Sequence, residues 1–200
     1  RDVAAYLGLE ITYANHKDWN TATPVSVCVD ARAWKVGQGK ILCTNRLKTD
    51  PFMQWLKEYD PWKENVHVYG LAATERTRIT RRAQVMGNMG YKTAFPMLWS
   101  EQMIVRLEDI GIDAGKIYDT FNHSNCTGCL KAGWQHWYIV YCTRPDVWEE
   151  TKNGEDLIGH SIHWDNGKQV YLEDKEELFE KMKQANVVPT EKIKFQTFWA

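Results

Sequence analysis

The residues of this sequence best suited to chemistry are cysteines, and two of them lie three positions apart in NHSNCTGCLKAGWQHWYIVYC at 122–142. Two thiolates at this spacing can converge on one metal ion or iron–sulfur cluster, because a glycine-containing loop can turn its backbone N–H groups towards the sulfurs. A redox dithiol and a structural turn are the alternatives. A dithiol oxidoreductase places such a pair at a helix start directly after a strand, whereas polar loop sequence precedes Cys126. The residues therefore favour a metal or cluster and leave the alternatives open.

Further ligands for such a site would come from elsewhere in the chain. For an iron–sulfur cluster, the additional thiolates are Cys43 and Cys142. For zinc, His160 and His163 in GHSIH could complete a set of two cysteines and two histidines, across a stretch much longer than that of a compact finger. Ordinary polar residues are the commoner interpretation of that histidine pair. Cys28, in the apolar stretch VSVCVD, is predicted to be a buried structural cysteine.

Two groups of charged residues have the types needed to bind phosphate. Arg46 and Lys48 precede a predicted helix, whose free N–H groups attract anions. Glu75 and Arg78 follow a predicted buried strand. Ligands of open α/β sheets bind beyond the C-terminal ends of the strands, so this pair would face a ligand if the strand is parallel. A solvated basic helix is the alternative interpretation of the second group.

The elements that must position these residues follow from periodicity and from end signals. The segment TDPFMQWLKEYDP predicts a helix, with Asp50 as N-cap and Pro51 in the first turn. NVHVYGLAA and KTAFPML predict strands, and TERTRITRRAQVMG predicts a helix between them. SEQMIVRLEDIG predicts a further helix from Ser100 to Gly111. Strands that alternate with helices over short connections predict an α/β fold with parallel pairing.

The two ends of the chain differ from this central pattern. The first residues, RDVAAYLGLEITYA, predict the end of a helix followed by a strand at 11–13. A folded protein rarely begins so abruptly, and we therefore expect an N-terminal segment to be absent. After residue 121 the sequence predicts two helices broken near Pro145, a short strand and a final amphipathic helix. NVVPTEKIKFQTFWA is predicted to be a loosely held tail. The predicted regions are therefore an α/β domain at 1–121 and a mainly helical, cysteine-containing region at 122–200.

Composition limits the classes of function. The 200 residues carry a net charge of −1, which gives no overall electrostatic attraction for nucleic acid or for an anionic membrane surface. The apolar runs are far shorter than the roughly 20 residues that cross a bilayer. Five cysteines cannot all be paired within one chain, and their number is too small for a secreted disulfide scaffold. We therefore expect no membrane association and a reducing, cytoplasmic location.

Several motifs, taken in order, resemble the phosphoadenosine phosphosulfate (PAPS) reductase family, especially its bacteriophage-type members. LCTNRLKTDPFMQWL resembles the family's cysteine, basic pair, proline and helix, and VYGLAATERTR its strand followed by an acidic residue and arginines. FPMLWSEQMI, HSNCTGCLKAGWQHW and GHSI also have counterparts there. The resemblance covers roughly residues 40–175. It implies a location in the cytoplasm of a bacterium or a phage-infected host.

The resemblance implies a fold and a nucleotide site. The fold would be Rossmann-like, of the adenine nucleotide α-hydrolase type, with a mostly parallel sheet flanked by helices and the helical cysteine-containing region packed on it. ATP or a PAPS-type nucleotide would bind above the C-terminal edge of the sheet. The residues carried over as nucleotide- or phosphate-binding are Arg46, Lys48, Glu75 and Arg78.

The resemblance also implies a metal site. In cluster-bearing relatives, cysteines at both the Cys43-type and the CxxC positions hold a [4Fe–4S] cluster, with zinc as the alternative occupant. The implied ligands are Cys43, Cys126 and Cys129, with Cys142 as the fourth.

The departures from the family shape the expected function. The family's Ser-Gly-Gly-x-Asp-Ser phosphate loop and its first strand would precede residue 1, and its Glu-Cys-Gly-x-His motif with the nucleophilic thiol is not found before the end KFQTFWA. Ala72 stands where the family has an arginine. We therefore expect an enzyme of sulfur transfer or adenylation more than a sulfonucleotide reductase. The sequence leaves open whether the protein binds a nucleic acid or a sulfur-donor protein, and whether it forms a homo-oligomer. The alternative is a non-catalytic scaffold with a structural zinc.

Overall fold

A computed structural model describes residues 2–18, 20–36, 40–99, 104, 106–113 and 115–194. Within them the chain is a mixed α/β protein, as predicted. It divides into two compact units, each made from two segments of sequence. Unit 1 comprises Arg1–Tyr13 and Phe52–Ala114, and unit 2 comprises Ala14–Pro51 and Gly115–Ala200. These units differ from the two predicted regions, 1–121 and 122–200, which are each one continuous stretch of sequence.

The described elements are short helices and very short strands. The helices are α1 (Asp2–Leu7), α2 (Ser26–Asp30), α3 (Leu42–Thr44), α4 (Asp50–Tyr59), α5 (Arg76–Asn88), α6 (Ile117–Thr120), α7 (Trp134–Thr143), α8 (Pro145–Ile158) and α9 (Glu176–Gln184). The strands are β1 (Lys35–Val36), β2 (Lys40–Ile41), β3 (Val66–Val68), β4 (Lys92–Ala94), β5 (His163–Asp165) and β6 (Lys168–Val170). A π-helical turn at Asn45–Thr49 joins α3 to α4, and 3-10 turns lie at Pro96–Leu98, Leu107–Ile110 and Glu173–Lys175.

Unit 1 contains the parallel pairing that the sequence predicted. Strand β3 pairs in parallel with β4, with Val66 opposite Lys92, and α5 connects the two strands. Leu56, Met86 and Tyr91 form its buried cluster. The other two strand pairs of the described residues, β1–β2 and β5–β6, are antiparallel. The parallel sheet of the described chain is therefore two strands wide.

Two predicted elements of unit 1 are wrong where the structure describes them. Ile11 and Tyr13 form no strand and are exposed. Ile104 and Arg106 are not helical, and a 3-10 turn at Leu107–Ile110 replaces the end of the predicted helix at 100–111. The carboxylate of Asp109 accepts a hydrogen bond from the Arg106 backbone N–H at 3.1 Å, and such a local bond competes with a longer helix. Residues 100–103 and 105 lie outside the described residues.

The core of unit 2 consists of two clusters. Helices α7 and α8 are separate at Pro145, as predicted, and α9 packs against α7. The first cluster is aromatic-rich and contains Ala132, Trp137, Tyr138, Val140, Trp148, Leu172, Phe179 and Met182. The second surrounds α2 and α3 and contains Val25, Cys28, Trp34, Ile41, Leu42 and Leu130.

The prediction of a loosely held tail is wrong for the part of it that the structure describes. The Tyr138 hydroxyl donates to the Val187 carbonyl at 2.7 Å, and the Gln135 side-chain amide donates to the Thr190 carbonyl at 2.7 Å. The Glu191 backbone N–H donates to the Thr120 carbonyl at 2.9 Å. Donors on α7 therefore hold this segment in place. Residues 195–200 lie outside the described residues.

Candidate metal centre

The CxxC pair lies in the loop that connects α6 to α7, and Cys43 lies on α3, so all three cysteines belong to unit 2. Cys43, Cys126 and Cys129 line one pocket with a volume of about 60 Å³. That volume exceeds the roughly 10–15 Å³ needed for one water. The structure thus brings together the three cysteines that the sequence assigned to one metal site.

Two lysines line the same pocket. Lys48 comes from the π-helical turn at Asn45–Thr49, and Lys131 follows the CxxC pair by two residues. π-Helical turns within helical segments occur frequently at functional sites. Ammonium groups beside thiols favour the thiolate, which is the form that binds metals and acts as a nucleophile. The pocket therefore has the charge that a thiolate site requires.

A second cysteine modifies the thiol of Cys43. Cys28 is fully buried, and its thiol forms a hydrogen bond with the sulfur of Cys43. This bond, with smaller contributions from Thr44, Lys131 and Lys48, lowers the pKa of Cys43 to about 7. The same bond, together with burial, raises the pKa of Cys28. Cys43 is therefore the more acidic thiol of the pair.

The shape of the CxxC loop is set by its contacts with α7 and α8. The carbonyl of Thr127, between the two cysteines, accepts a hydrogen bond from His136 Nε2 at 2.7 Å. A Cβ on the neighbouring Gly128 would lie 2.9 Å from Cγ1 of Val147, which is too close for any side chain. Glycine is thus required here because α8 approaches the loop closely.

Cys142 is placed differently from the other predicted ligands. It lies on α7 and packs against the aromatic cluster of unit 2. Burial raises its pKa, which a hydrogen bond with Tyr138 partly offsets. It is not among the residues that line the thiol pocket. The structure therefore does not bring the predicted fourth ligand to the other three.

The histidines of the zinc alternative lie apart from the thiol pocket. His160 lines a larger pocket of about 340 Å³ with Trp34 and Trp164. The ring of His163 lies 4.1 Å from that of Trp134, and burial lowers its pKa to about 4. Neither histidine lines the pocket that holds the CxxC pair.

The spacing of the three thiols can be compared with the spacing that one zinc ion requires. Tetrahedral zinc with Zn–S bonds of about 2.3 Å needs sulfurs about 3.8 Å apart. The sulfurs of Cys43, Cys126 and Cys129 do not all lie within 4.8 Å of one another. The three thiols therefore do not form a preformed tetrahedral zinc site.

The predicted nucleotide-binding residues are divided between the units. In unit 2, Arg46 forms an exposed ion pair with Asp50 at 3.9 Å, and Lys48 lines the thiol pocket. In unit 1, Glu75 and Arg78 follow the carboxyl end of β3 and are ion-paired with each other. The Ala72 N–H and Arg78 together lower the pKa of Glu75. Both arginines are thus already paired with carboxylates.

The donor set fits a thiolate-bound metal or cluster in type and in charge. Three thiols are present, one of them with a pKa of about 7, and two lysines can balance the negative charge of a thiolate-bound group. A metal held by these three cysteines alone would keep one coordination position for another ligand, as catalytic zinc sites do.

Sequence reasoning missed several residues of this region. Lys131 could have been found, because it lies two residues after Cys129. The contact between Cys28 and Cys43 comes from packing of α2 beside α3, for which the sequence carries no local pattern. His123, His136 and Glu191, which also meet in unit 2, were missed as well.

Comparison of the chain with known protein families, with curated proteins and with solved structures found no match. Among the helices that the structure describes, none combines the length and the apolar character needed to span a membrane.

Proposed function

We propose that this chain is an adenine-nucleotide-binding protein of the PAPS reductase type, with a Rossmann-like fold, and that it acts in the cytoplasm. Its reaction would be sulfur transfer or adenylation chemistry at a nucleotide α-phosphate. Its cofactor would be a [4Fe–4S] cluster held by Cys43, Cys126 and Cys129. The motif resemblance supports the family, the nucleotide and the cluster, and the pocket that the three cysteines share in unit 2 supports a thiolate-bound group.

One observation carries the proposal. Cys43 is more than eighty residues from Cys129 in the sequence, yet it lines the same pocket as the CxxC pair. Thiols from two distant segments, gathered around a cavity that lysines also line, are better suited to binding a metal or cluster than to filling a core.

The basic residues would act on the nucleotide. Lys48 lies two residues after Arg46 and lines the thiol pocket, so its ammonium group could stabilise charge developing on a phosphate beside the thiols. The prediction for Arg78 concerns unit 1 by itself: its guanidinium would leave its ion pair with Glu75 to bind a phosphate oxygen. When bound, the cluster would hold or deliver sulfur.

Anaerobic purification followed by iron, zinc and sulfide analysis tests the cofactor. We expect iron and acid-labile sulfide in similar amounts and little zinc. Cys43→Ser, Cys126→Ser and Cys129→Ser should each lose most of the iron, because serine is a poor ligand for iron–sulfur clusters. Cys142→Ser is the matched control and should keep the iron, since Cys142 packs against the aromatic cluster away from the pocket.

Calorimetric titration with ATP tests the nucleotide. We expect Lys48→Ala to weaken ATP binding at least about tenfold, whereas Lys57→Ala, an exposed lysine on α4, should leave it unchanged. Absence of iron, zinc and sulfide alike would overturn the metal site. Equal iron loss in Cys142→Ser would instead make Cys142 the fourth ligand that the resemblance implies, and would contradict its placement away from the pocket. One equivalent of zinc without sulfide, together with no ATP binding, would replace this proposal with the non-catalytic scaffold.

A further inference from the structure

A second group of ligand-type side chains lies in unit 2, outside the thiol pocket. His123 comes from the loop before α7, His136 from the first turns of α7, and Glu191 from the C-terminal segment. One ligand atom from each lies within 4.8 Å of the others. His123 Nε2 is 3.1 Å, and His136 Nδ1 is 3.7 Å, from the same oxygen, Glu191 Oε1.

The decisive atom is Nδ1 of His136. The side chain is 2% exposed, and its Nε2 must carry the proton because it donates to the Thr127 carbonyl at 2.7 Å. In the neutral ring, Nδ1 then carries a lone pair and no proton. It has no hydrogen-bond partner, and 3.7 Å is too long for a hydrogen bond to Glu191. A buried lone pair of the neutral ring therefore faces a carboxylate oxygen, an arrangement that is repulsive unless a proton or a metal ion lies between the two atoms.

The surroundings of two of the ligands resemble those of metal sites. A metal-bound histidine usually donates its other N–H to a carbonyl or carboxylate, as His136 does to Thr127. The other oxygen of Glu191, Oε2, accepts the Asn122 backbone N–H at 3.0 Å. The Glu191 carbonyl accepts the Asn122 side-chain amide at 2.9 Å. These contacts fix the carboxylate so that Oε1 faces both imidazoles.

The distances are compatible with a metal, although the shorter one is also the hydrogen bond that His123 Nε2 donates to Glu191 Oε1 at 3.1 Å. With bonds of about 2.1 Å in tetrahedral geometry, two ligand atoms of one ion lie about 3.4 Å apart. The two measured separations, 3.1 Å and 3.7 Å, lie on either side of that value. Small rotations of His123, whose side chain is 31% exposed, would complete the geometry and give the ion a route from solvent.

We propose that His123, His136 and Glu191 bind a divalent transition-metal ion of the zinc type, at a site separate from the thiol pocket. Two imidazoles and one carboxylate are ligands that such ions accept readily. Three protein ligands leave a position for water. The site does not depend on the proposed nucleotide or cluster function, because it uses none of the cysteines.

Metal binding has a consequence for the CxxC loop. The Asn125 backbone N–H now donates to His123 Nδ1 at 3.2 Å. An ion on Nε2 requires the proton of the neutral ring to be on Nδ1, so Asn125 must give up this acceptor. Because Asn125 precedes Cys126, the amide environment at the start of the CxxC motif should change when the ion binds.

Cobalt(II) titration of the chelator-treated full chain, followed by absorption, tests the site. We expect one equivalent to bind with visible bands of nitrogen and oxygen ligation and without thiolate-to-cobalt charge transfer. Glu191→Gln and His123→Asn should each weaken zinc binding, measured against a competing chelator, by about 100-fold. His160→Asn is the matched control and should bind as the unmodified chain does. Amide NMR should show a shift at Asn125 when Zn²⁺ is added to the unmodified chain, and this shift should be lost in His123→Asn, because Asn125 also lines the thiol pocket and zinc bound there would shift it in both proteins.

Circular dichroism of each variant separates loss of ligand from loss of fold. If Glu191→Gln does not fold, His123→Asn, which changes a partly exposed side chain, carries the test. Retention of full affinity in a folded His123→Asn or Glu191→Gln variant would overturn the proposal. So would cobalt spectra in which thiolate charge transfer accompanies the first equivalent, since that ion would be in the thiol pocket.

Discussion

The two compact units differ in how much of their apolar surface is buried. Unit 2 has two core clusters, and Trp137, Trp148 and Phe179 are at most 1% exposed. Among the described residues of unit 1, the buried cluster has three members, and strand β3 leaves Val66 and Val68 more than half exposed.

This difference shows where chemistry can be preorganised. The thiol pocket and the His123, His136 and Glu191 group both lie in unit 2, where packed helices fix their positions. The charged pair Glu75 and Arg78 lies in unit 1, on an exposed surface with no comparable packing. Regions with few buried apolar contacts open more readily. We therefore expect hydrogen exchange to be slower in α7 and α8 than in α5.

Truncation of the largest core side chain should produce the largest effect. Trp148→Ala removes a side chain that is 1% exposed and whose ring lies 5.1 Å from that of Tyr141 and 5.6 Å from that of Phe179. Loss of its apolar contacts should lower the free energy of unfolding of unit 2 by about 3–5 kcal/mol. Native-state hydrogen exchange at the α7 amides measures this change.

Trp62→Ala is the matched control in unit 1. This tryptophan is 83% exposed, so its truncation should change stability by no more than about 0.5 kcal/mol. Equal losses for the two variants would contradict the contrast between the units.

A buried carboxylate should make the stability of unit 2 depend on pH. Glu155 is 1% exposed, and burial raises its pKa to about 7, although the Leu172 and Ile162 backbone N–H groups donate to it. Because the folded-state pKa lies above the unfolded value, the stabilisation is complete below pH ~4.5 and is lost as pH rises through about 7. A shift of this size corresponds to roughly 3 kcal/mol.

Glu155→Gln isolates this effect. The difference in unfolding free energy between the unmodified chain and the variant should fall by about 3 kcal/mol between pH 4.5 and pH 8. His163, with a pKa lowered to about 4, gives the opposite slope, but it is present in both proteins and cancels in the difference. Denaturant titrations at several pH values measure this difference in unfolding free energy. A difference that does not change with pH would show that Glu155 has the same pKa in the folded and unfolded states.

Two helix glycines extend the comparison to smaller effects. In unit 2, a Cβ on Gly154 of α8 would lie 2.7 Å from Val25 Cγ1 and 3.2 Å from Trp34 Cη2. Gly154→Ala should therefore destabilise unit 2 by about 1–3 kcal/mol through overpacking, as measured by denaturant unfolding. An unchanged or higher stability would mean that α2 can move away from α8 at little cost.

Gly87 of α5, in unit 1, is in the opposite situation. A Cβ there would meet no atom within 4 Å. Gly87→Ala should stabilise unit 1 by about 0.5–1 kcal/mol, because alanine loses less backbone entropy than glycine when a helix forms. Hydrogen exchange at the α5 amides would detect this gain. A loss of stability would indicate a contact that the open surroundings do not suggest.

Local signals explain which elements could be predicted from the sequence. The body of helix α4 was predicted from its own sequence, but the prediction of Asp50 as its N-cap was wrong: Asp50 has a helical φ of −62° and ψ of −47°, and the π-helical turn at Asn45–Thr49 runs directly into the helix. The prediction of a helix from Ser100 to Gly111 was wrong for the part that the structure describes. Its end point was correct, because Gly111 has a φ of 73° and ends the 3-10 turn. The hydrogen bond from the Arg106 N–H to Asp109 starts a new turn that periodicity does not register.

The sites were predictable only in part, for a different reason. Resemblance to a family connected Cys43 with the CxxC pair, which spacing alone could not do. No pattern connected His123 with Glu191, which lie 68 positions apart in a loop and in a segment without regular structure. Such contacts arise from packing, so they become visible only when the fold is known.

The close approach of Val147 to Gly128 has a consequence for the evolution of the CxxC loop. Because a Cβ at Gly128 would lie 2.9 Å from Val147 Cγ1, the two positions cannot both carry large side chains. We expect them to covary in homologous sequences: a residue other than glycine inside the cysteine motif should accompany alanine or glycine at the start of α8. The residue type at position 128, between the two cysteines, would then depend on the residue type at position 147 of α8, although Val147 is not one of the proposed ligands.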